Sequence, residues 1–165
     1  MSDPRTLYDE DFFAWAKQQA EALRAAAHAG SNLQLDWENL AEEIEDLARS
    51  QRRGLRAHMM RIVQHLAKLD HSPSIDPRLG WRRSIRLARM QVEELLIENP
   101  SLRREVDGLV VRAVKNGIEL AIQDLEEQGE IFATDYSRIR RTTYGIDQIL
   151  GDWFPPEPPR EAEKP

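Results

Sequence analysis

From Trp37 to Leu69 the chain carries one long helical repeat. Trp37, Leu40, Ile44, Leu47, Leu55, Ile62, Leu66 and Leu69 fall within about 60° of a single line when each residue turns the chain by about 100°. A stripe of that length predicts a helix over 37–69, with Asp36 as its N-cap. Gly54 lies inside it, which points to a bend or a close helix contact.

Three further segments repeat at the same period. Tyr8, Phe12, Trp15, Gln19, Leu23 and Ala26 predict a helix over 9–29, with Asp9 as cap and Gly30 as its C-terminal stop. Asp76 and Pro77 predict the cap and first residue of a third helix, with Trp81, Ile85, Ala88, Val92 and Leu95 on its apolar face. Ser101 opens a fourth, with Val106, Leu109, Ala113, Leu120 and Leu125 on its stripe and Gly129 ending it. Residues 130–143 fit no single pattern, and 146–150 predict one short helix. No strand pattern and no internal repeat compete with this reading. The fold class expected is all-α: an antiparallel bundle of four main helices plus a short C-terminal helix. Residues 1–154 are expected to form one helical domain. Five prolines fall in the last eleven residues, so 155–165 is expected to be a disordered tail.

At 165 residues the chain is long enough to bury a core. It has no cysteine, which excludes disulfides, thiolate metal sites and cysteine nucleophiles. No apolar run approaches the roughly 18 residues of a membrane span, so no membrane partner is expected. The acidic start, Met1-Ser2-Asp3-Pro4, lacks a signal-type apolar stretch, and the cytoplasm is the expected location. The net charge of −6 is unevenly spread. Residues 49–89 hold ten arginines and one lysine against two acids, Asp70 and Asp76. The rest of the chain is strongly acidic.

Several segments resemble a bacterial family known as domain of unknown function family 29. They are Leu7-Tyr8-Asp9-Glu10-Asp11-Phe12-Phe13-Ala14-Trp15-Ala16, the run from Leu35 to Leu47 around Asn39-Leu40-Ala41-Glu42-Glu43-Ile44-Glu45, and His65-Leu66-Ala67-Lys68-Leu69. Trp81-Arg82-Arg83-Ser84-Ile85, Glu98-Asn99-Pro100-Ser101-Leu102 and Tyr144-Gly145-Ile146-Asp147-Gln148-Ile149-Leu150 continue it. The resemblance covers about residues 7–154. It implies an all-helical fold and brings no activity, cofactor or catalytic residue.

Four features carry the candidate chemistry. Gln51, His58 and His65 are spaced by seven, so they share a helix face close to the apolar stripe. They form either a polar pocket, with His65 as acid, base or ligand, or a hydrogen-bonded layer that fixes helix register. Glu42, Glu43, Glu45 and Asp46 form an acidic cluster. However, the chain has no paired Glu-x-x-His motif, and His58 and His65 sit about 10 Å apart along the axis, so no metal or other cofactor is expected.

Arg49, Arg53, Arg56, Arg83 and Arg86 are expected to face outward. They suit either an anion such as nucleic acid or internal pairing, with Glu45–Arg49 and Arg89–Glu93 as the local pairs. Arg52 and Arg53 each match the Arg-x(4–6)-His spacing of some helical ribonuclease toxins with His58, but about one such match is expected by chance at this composition. Trp15, Trp37 and Trp81 are expected as core anchors, and Trp153-Phe154 as a cap or docking element. Whether the chain is an enzyme is left open. The leading reading is a non-enzymatic helical binding or interaction module, with a homo-oligomer formed through an exposed helix face as its expected assembly. A nucleic-acid-associated protein using region 49–89 and a ribonuclease using Arg53 and His58 are the alternatives.

Overall fold

The computed structural model describes residues 4–30, 32–130 and 136–157. Among these the chain is all-helical, without strands: α1 (Pro4–Glu10), α2 (Phe12–His28), α3 (Trp37–His71), α4 (Arg78–Glu98), a 3-10 turn (Pro100–Glu105), α5 (Val106–Glu127), α6 (Tyr136–Arg140) and α7 (Ile146–Leu150). The four long helices, α2 to α5, are those expected from the apolar repeats. The described residues cluster into two compact units. One holds Met1–Arg56 and Val92–Asp107; the other holds Ala57–Gln91 and Gly108–Pro165.

Several helix ends differ from expectation. The first helix breaks at Asp11, whose extended backbone (φ −157°) ends α1 and whose side chain caps Ala14 N at 2.9 Å. Asp9 is therefore not the cap. Asp11 also accepts from Ser101 N at 2.7 Å and Ser101 Oγ at 2.9 Å. Asn99, 1% exposed, accepts from Phe13 N at 3.0 Å and donates to Leu95 O at 3.0 Å. Two loops far apart in sequence thus satisfy each other's orphan helix-end groups. In place of the α-helix expected from Ser101, the chain runs through a 3-10 turn, and α5 begins at Val106.

The start of α3 is as expected, with Asn39 N donating to Asp36 Oδ1. α4 starts at Arg78, and the Pro77 carbonyl accepts its first helical bond from Trp81, so Pro77 sits one position before N1. Gly30 and Gly129 take left-handed φ values of 73° and 70°, the conformation that a helix-terminating glycine supplies without a Cβ penalty. At the second stop, Glu130 N bonds to Leu125 O and Gly129 N to Glu126 O, the paired bonds of a Schellman end.

The second unit is built on large apolar residues. Leu55 closes the buried run of the first unit's part of α3; beyond it Met59, Ile62, Val63, Leu66, Ala67 and Leu69 are sealed. Trp81, Ile85 and Ala88 of α4 are buried, as are Ile118, Ala121, Ile122 and Leu125 of α5. Leu120, expected on that stripe, is only half-buried, because the buried arc is centred on Ile118, Ala121 and Ile122. The close approach marked by a glycine is at Gly117, not Gly54. A Cβ at Gly117 would meet Met60 O and Val63 Cβ at 2.7 Å, whereas one at Gly54 would make an ordinary 3.5 Å contact with Leu95.

The first unit packs differently. Its buried helix residues are Phe13, Ala16 and Ala20 in α2, Ala41, Ala48 and Leu55 in α3, Val92 and Leu96 in α4 and Val106 in α5, so alanines predominate on the inner side of α2 and of the start of α3. The stripe expected on α2 is displaced by one residue, about 100° around the helix. Phe12 and Trp15 are half-buried and Tyr8 is 50% exposed. Of the three tryptophans expected as core anchors, Trp81 is buried, and Trp15 and Trp37 are only partly covered.

Residues 155–157 do not belong to a loose tail. Pro155 is buried and Glu157 pairs with Arg78 and Arg82. The remainder of the expected tail, 158–165, and the part of the ambiguous stretch at 131–135 lie outside the described residues.

Candidate interaction surfaces

The first surface is apolar and belongs to the first unit. On α3, Leu40 and Leu47 are 41% and 42% exposed, while Ala41 and Ala48, each one residue on, are sealed. One residue is about 100° of helix, so the alanine side faces in and the leucine side faces out. Trp37 and Ile44 are half-covered and complete the run Trp37-Leu40-Ile44-Leu47 at spacings of three, four and three. Tyr8, Phe12 and Trp15 form a second, partly exposed cluster. Tyr8 meets Phe12 and Trp15 edge-on at 5.6 and 4.8 Å between ring centroids. Beside it is a shallow groove of about 390 Å³ lined by Pro4, Arg5, Tyr8, Trp15 and Gln19. Burying alanine while leaving leucine and aromatic rings at the surface reverses the usual preference of a free helix.

The polar line on α3 is divided between the two units. Gln51 falls in the first unit, and His58 and His65 in the second. His65 is half-buried: its Nδ1 is buried without a hydrogen-bond partner, and burial, aided by the nearby Lys68, pushes its pKa down to about 4. Burial and the Arg61 charge lower the His58 pKa as well. Both rings are therefore neutral at pH 7. Sequence reasoning missed the polar cluster next to His65. Lys68, 5% exposed, donates to Asp124 at 2.7 Å and lies 5.1 Å over the Trp81 ring; Gln64 donates to the same carboxylate oxygen at 2.9 Å. Its local signal was Gln64 and Lys68 at i,i+4, but Asp124 is more than fifty residues away. No group of three histidine, aspartate or glutamate side chains among the described residues is placed to hold a metal ion.

The arginines separate into free and engaged. Arg49 bonds to Asp46 and lies 3.5 Å from Glu45, so the expected Glu45–Arg49 pair forms; Glu45 also takes Arg24 at 2.5 Å. The Arg24 and Arg49 charges hold the Glu45 carboxyl below its usual range, with the Arg24 hydrogen bond as the main cause. Arg53 and Arg83 are exposed and Arg56 is half-exposed. Arg86 lies 5.5 Å over the Phe154 ring. Arg89 does not pair with Glu93. It caps α7 instead, donating to the carbonyls of Ile149 (2.9 Å), Gln148 (2.7 Å) and Trp153 (2.8 Å). These free carbonyls attract a cation at the helix C-terminus.

A model of the family described as "Domain of unknown function DUF29" matches residues 7–154. The chain belongs to that family. The crystal structure of an alpha-helical protein of unknown function from Rhodospirillum rubrum is similar to this DUF29 chain at 25% identity, with a TM-score of 0.67. The match covers 89% of this chain and 90% of that one. No curated protein matches. The DUF29 segments quoted from sequence include both halves of the Asp11–Asn99–Ser101 knot, and so a fold-building contact. Among the described residues, no helix is long and apolar enough to cross a membrane.

Proposed function

We propose that this DUF29 protein is a non-enzymatic interaction module whose α3 face pairs with a second copy of the chain. One observation carries the reading: the start of α3 hides Ala41 and Ala48 and exposes Leu40 and Leu47. The Trp37-Leu40-Ile44-Leu47 spacing is the seam by which two like helices interlock. A two-fold pair needs one self-complementary patch, and an apolar seam meets that need against its own copy.

The test is sedimentation equilibrium on the full chain. The expected result is a monomer–dimer equilibrium, abolished by Leu40→Glu with Leu47→Glu while helical circular dichroism is retained. A parent chain that stays monomeric up to about 100 μM would overturn the reading, including the case in which the face serves an unlike protein. Nucleic-acid binding has less support, since Arg49 and Arg86 are already engaged within the chain.

A further inference from the structure

The strip of α4 that carries Arg78, Arg82, Arg86 and Arg89 lies under the segment after α7. Arg78 is at 0° on a helical projection, and the other three fall within about 80° of it. Phe154 lies against three of them, at 4.8 Å from Arg82, 5.5 Å from Arg86 and 4.9 Å from Arg89. A ring attracts these cations without neutralising them. Glu157 supplies the carboxylate: Oε2 accepts from Arg78 Nε at 3.0 Å, and Oε1 accepts from Arg82 Nη2.

The accounting of donors at Arg78 is unbalanced. Its side chain is 5% exposed, yet Nη1 and Nη2 are buried with no hydrogen-bond partner. Four of the five N–H groups of a nearly sealed guanidinium are thus unused, and a buried charge is normally fully hydrogen-bonded. Glu157 reaches Arg78 only at Nε, and its other oxygen is turned to Arg82, so both Nη groups of Arg78 are left unserved. It is also the more exposed partner, at 60%. A tetrahedral oxyanion carries more acceptor oxygens than a carboxylate and suits the forked donors of two arginines.

We propose that Arg78 and Arg82 form a binding site for a phosphate-type oxyanion, which the Glu157 carboxylate occupies as an internal stand-in. Binding of the anion releases Glu157 and loosens residues 153–157 from α4. The proposal does not rest on dimer formation.

The test is calorimetric titration of the full chain with inorganic phosphate, with sodium chloride at matched ionic strength as the control. Glu157→Gln removes the competing charge from an exposed position. If Glu157 fills the site most of the time, this variant binds phosphate at least about fivefold more tightly than the parent. Adding Arg82→Gln to that variant returns binding to the parent level or below. In the parent chain, amide exchange over residues 152–157 rises with phosphate and not with chloride. Equal phosphate affinity in the parent and Glu157→Gln overturns the proposal, as does the same response to chloride. A fall in thermal stability of Glu157→Gln without a gain in phosphate affinity also overturns it, and leaves Glu157 as a structural clasp.

Discussion

The two ends of α3 share one apolar repeat and use it in opposite ways. Toward the C-terminus, Ile62, Leu66 and Leu69 are sealed among other large side chains. Toward the N-terminus, Leu40 and Leu47 stay at the surface and Ala41 and Ala48 are sealed instead. α2 repeats the second pattern, with Ala16 and Ala20 inside and Trp15 only partly covered. Small residues let helices approach closely; large ones left outside provide apolar area for contact with another molecule. A periodic stripe therefore marks a helix without marking which side of it the core will take.

The sharpest way to break this comparison is truncation at matched positions. Leu66→Ala should cost about 2–5 kcal/mol, because it empties a sealed site. Leu47→Ala should change monomer stability by less than about 0.5 kcal/mol. Urea denaturation of both variants at low protein concentration checks this, and equal losses would erase the distinction between the two ends.

The next effect is set by pH and belongs to the buried end alone. His65 has a folded pKa of about 4, below the ordinary 6.5. The unfolded chain therefore takes up the proton first as pH falls. The stabilising contribution is fully present above about pH 6.5 and is lost progressively down to about pH 4, by as much as roughly 3 kcal/mol. His58 and His71 are shifted in the same direction by burial and add to the slope. His65→Leu should flatten the stability profile between pH 6.5 and 5, above the range where carboxylates titrate. An unchanged profile would remove His65 from this account.

Gly117→Ala tests the tight packing of the second unit. The new methyl would collide with Met60 O and Val63, which outweighs the better helix propensity of alanine. A net loss of about 1–3 kcal/mol is expected, measured as a lower midpoint in urea. Gly54→Ala, with room for its methyl, should be neutral or slightly stabilising, so the pair measures how far a glycine inside a helix reports close contact.

The smallest of these effects is at the first unit's knot. Asp11→Ala removes the cap on Ala14 and the acceptor for Ser101. A loss of about 1–2 kcal/mol is expected by thermal denaturation. Asp9→Ala should lose little, since Asp9 caps no helix. A larger loss at Asp9 than at Asp11 would reverse the assignment of the break between α1 and α2.

The sequence by itself determined the helical class, the four long helices, both glycine stops and the Asp36 cap. Each follows from local chemistry: apolar period, side-chain capping and the freedom of glycine to take positive φ. It also located Gln51, His58 and His65 on one face and the arginines between 49 and 89. Tertiary structure decided what those residues do. Asp11 replaced Asp9 as a cap because Ser101 lies within its reach, ninety residues away. Lys68 and Gln64 found Asp124, and Arg89 left Glu93 for the open carbonyls at the end of α7. Glu157 was drawn out of an apparent tail by two arginines on α4. Spacing along a helix fixes which side chains share a face, but only packing fixes which face is covered and which distant group completes a hydrogen bond.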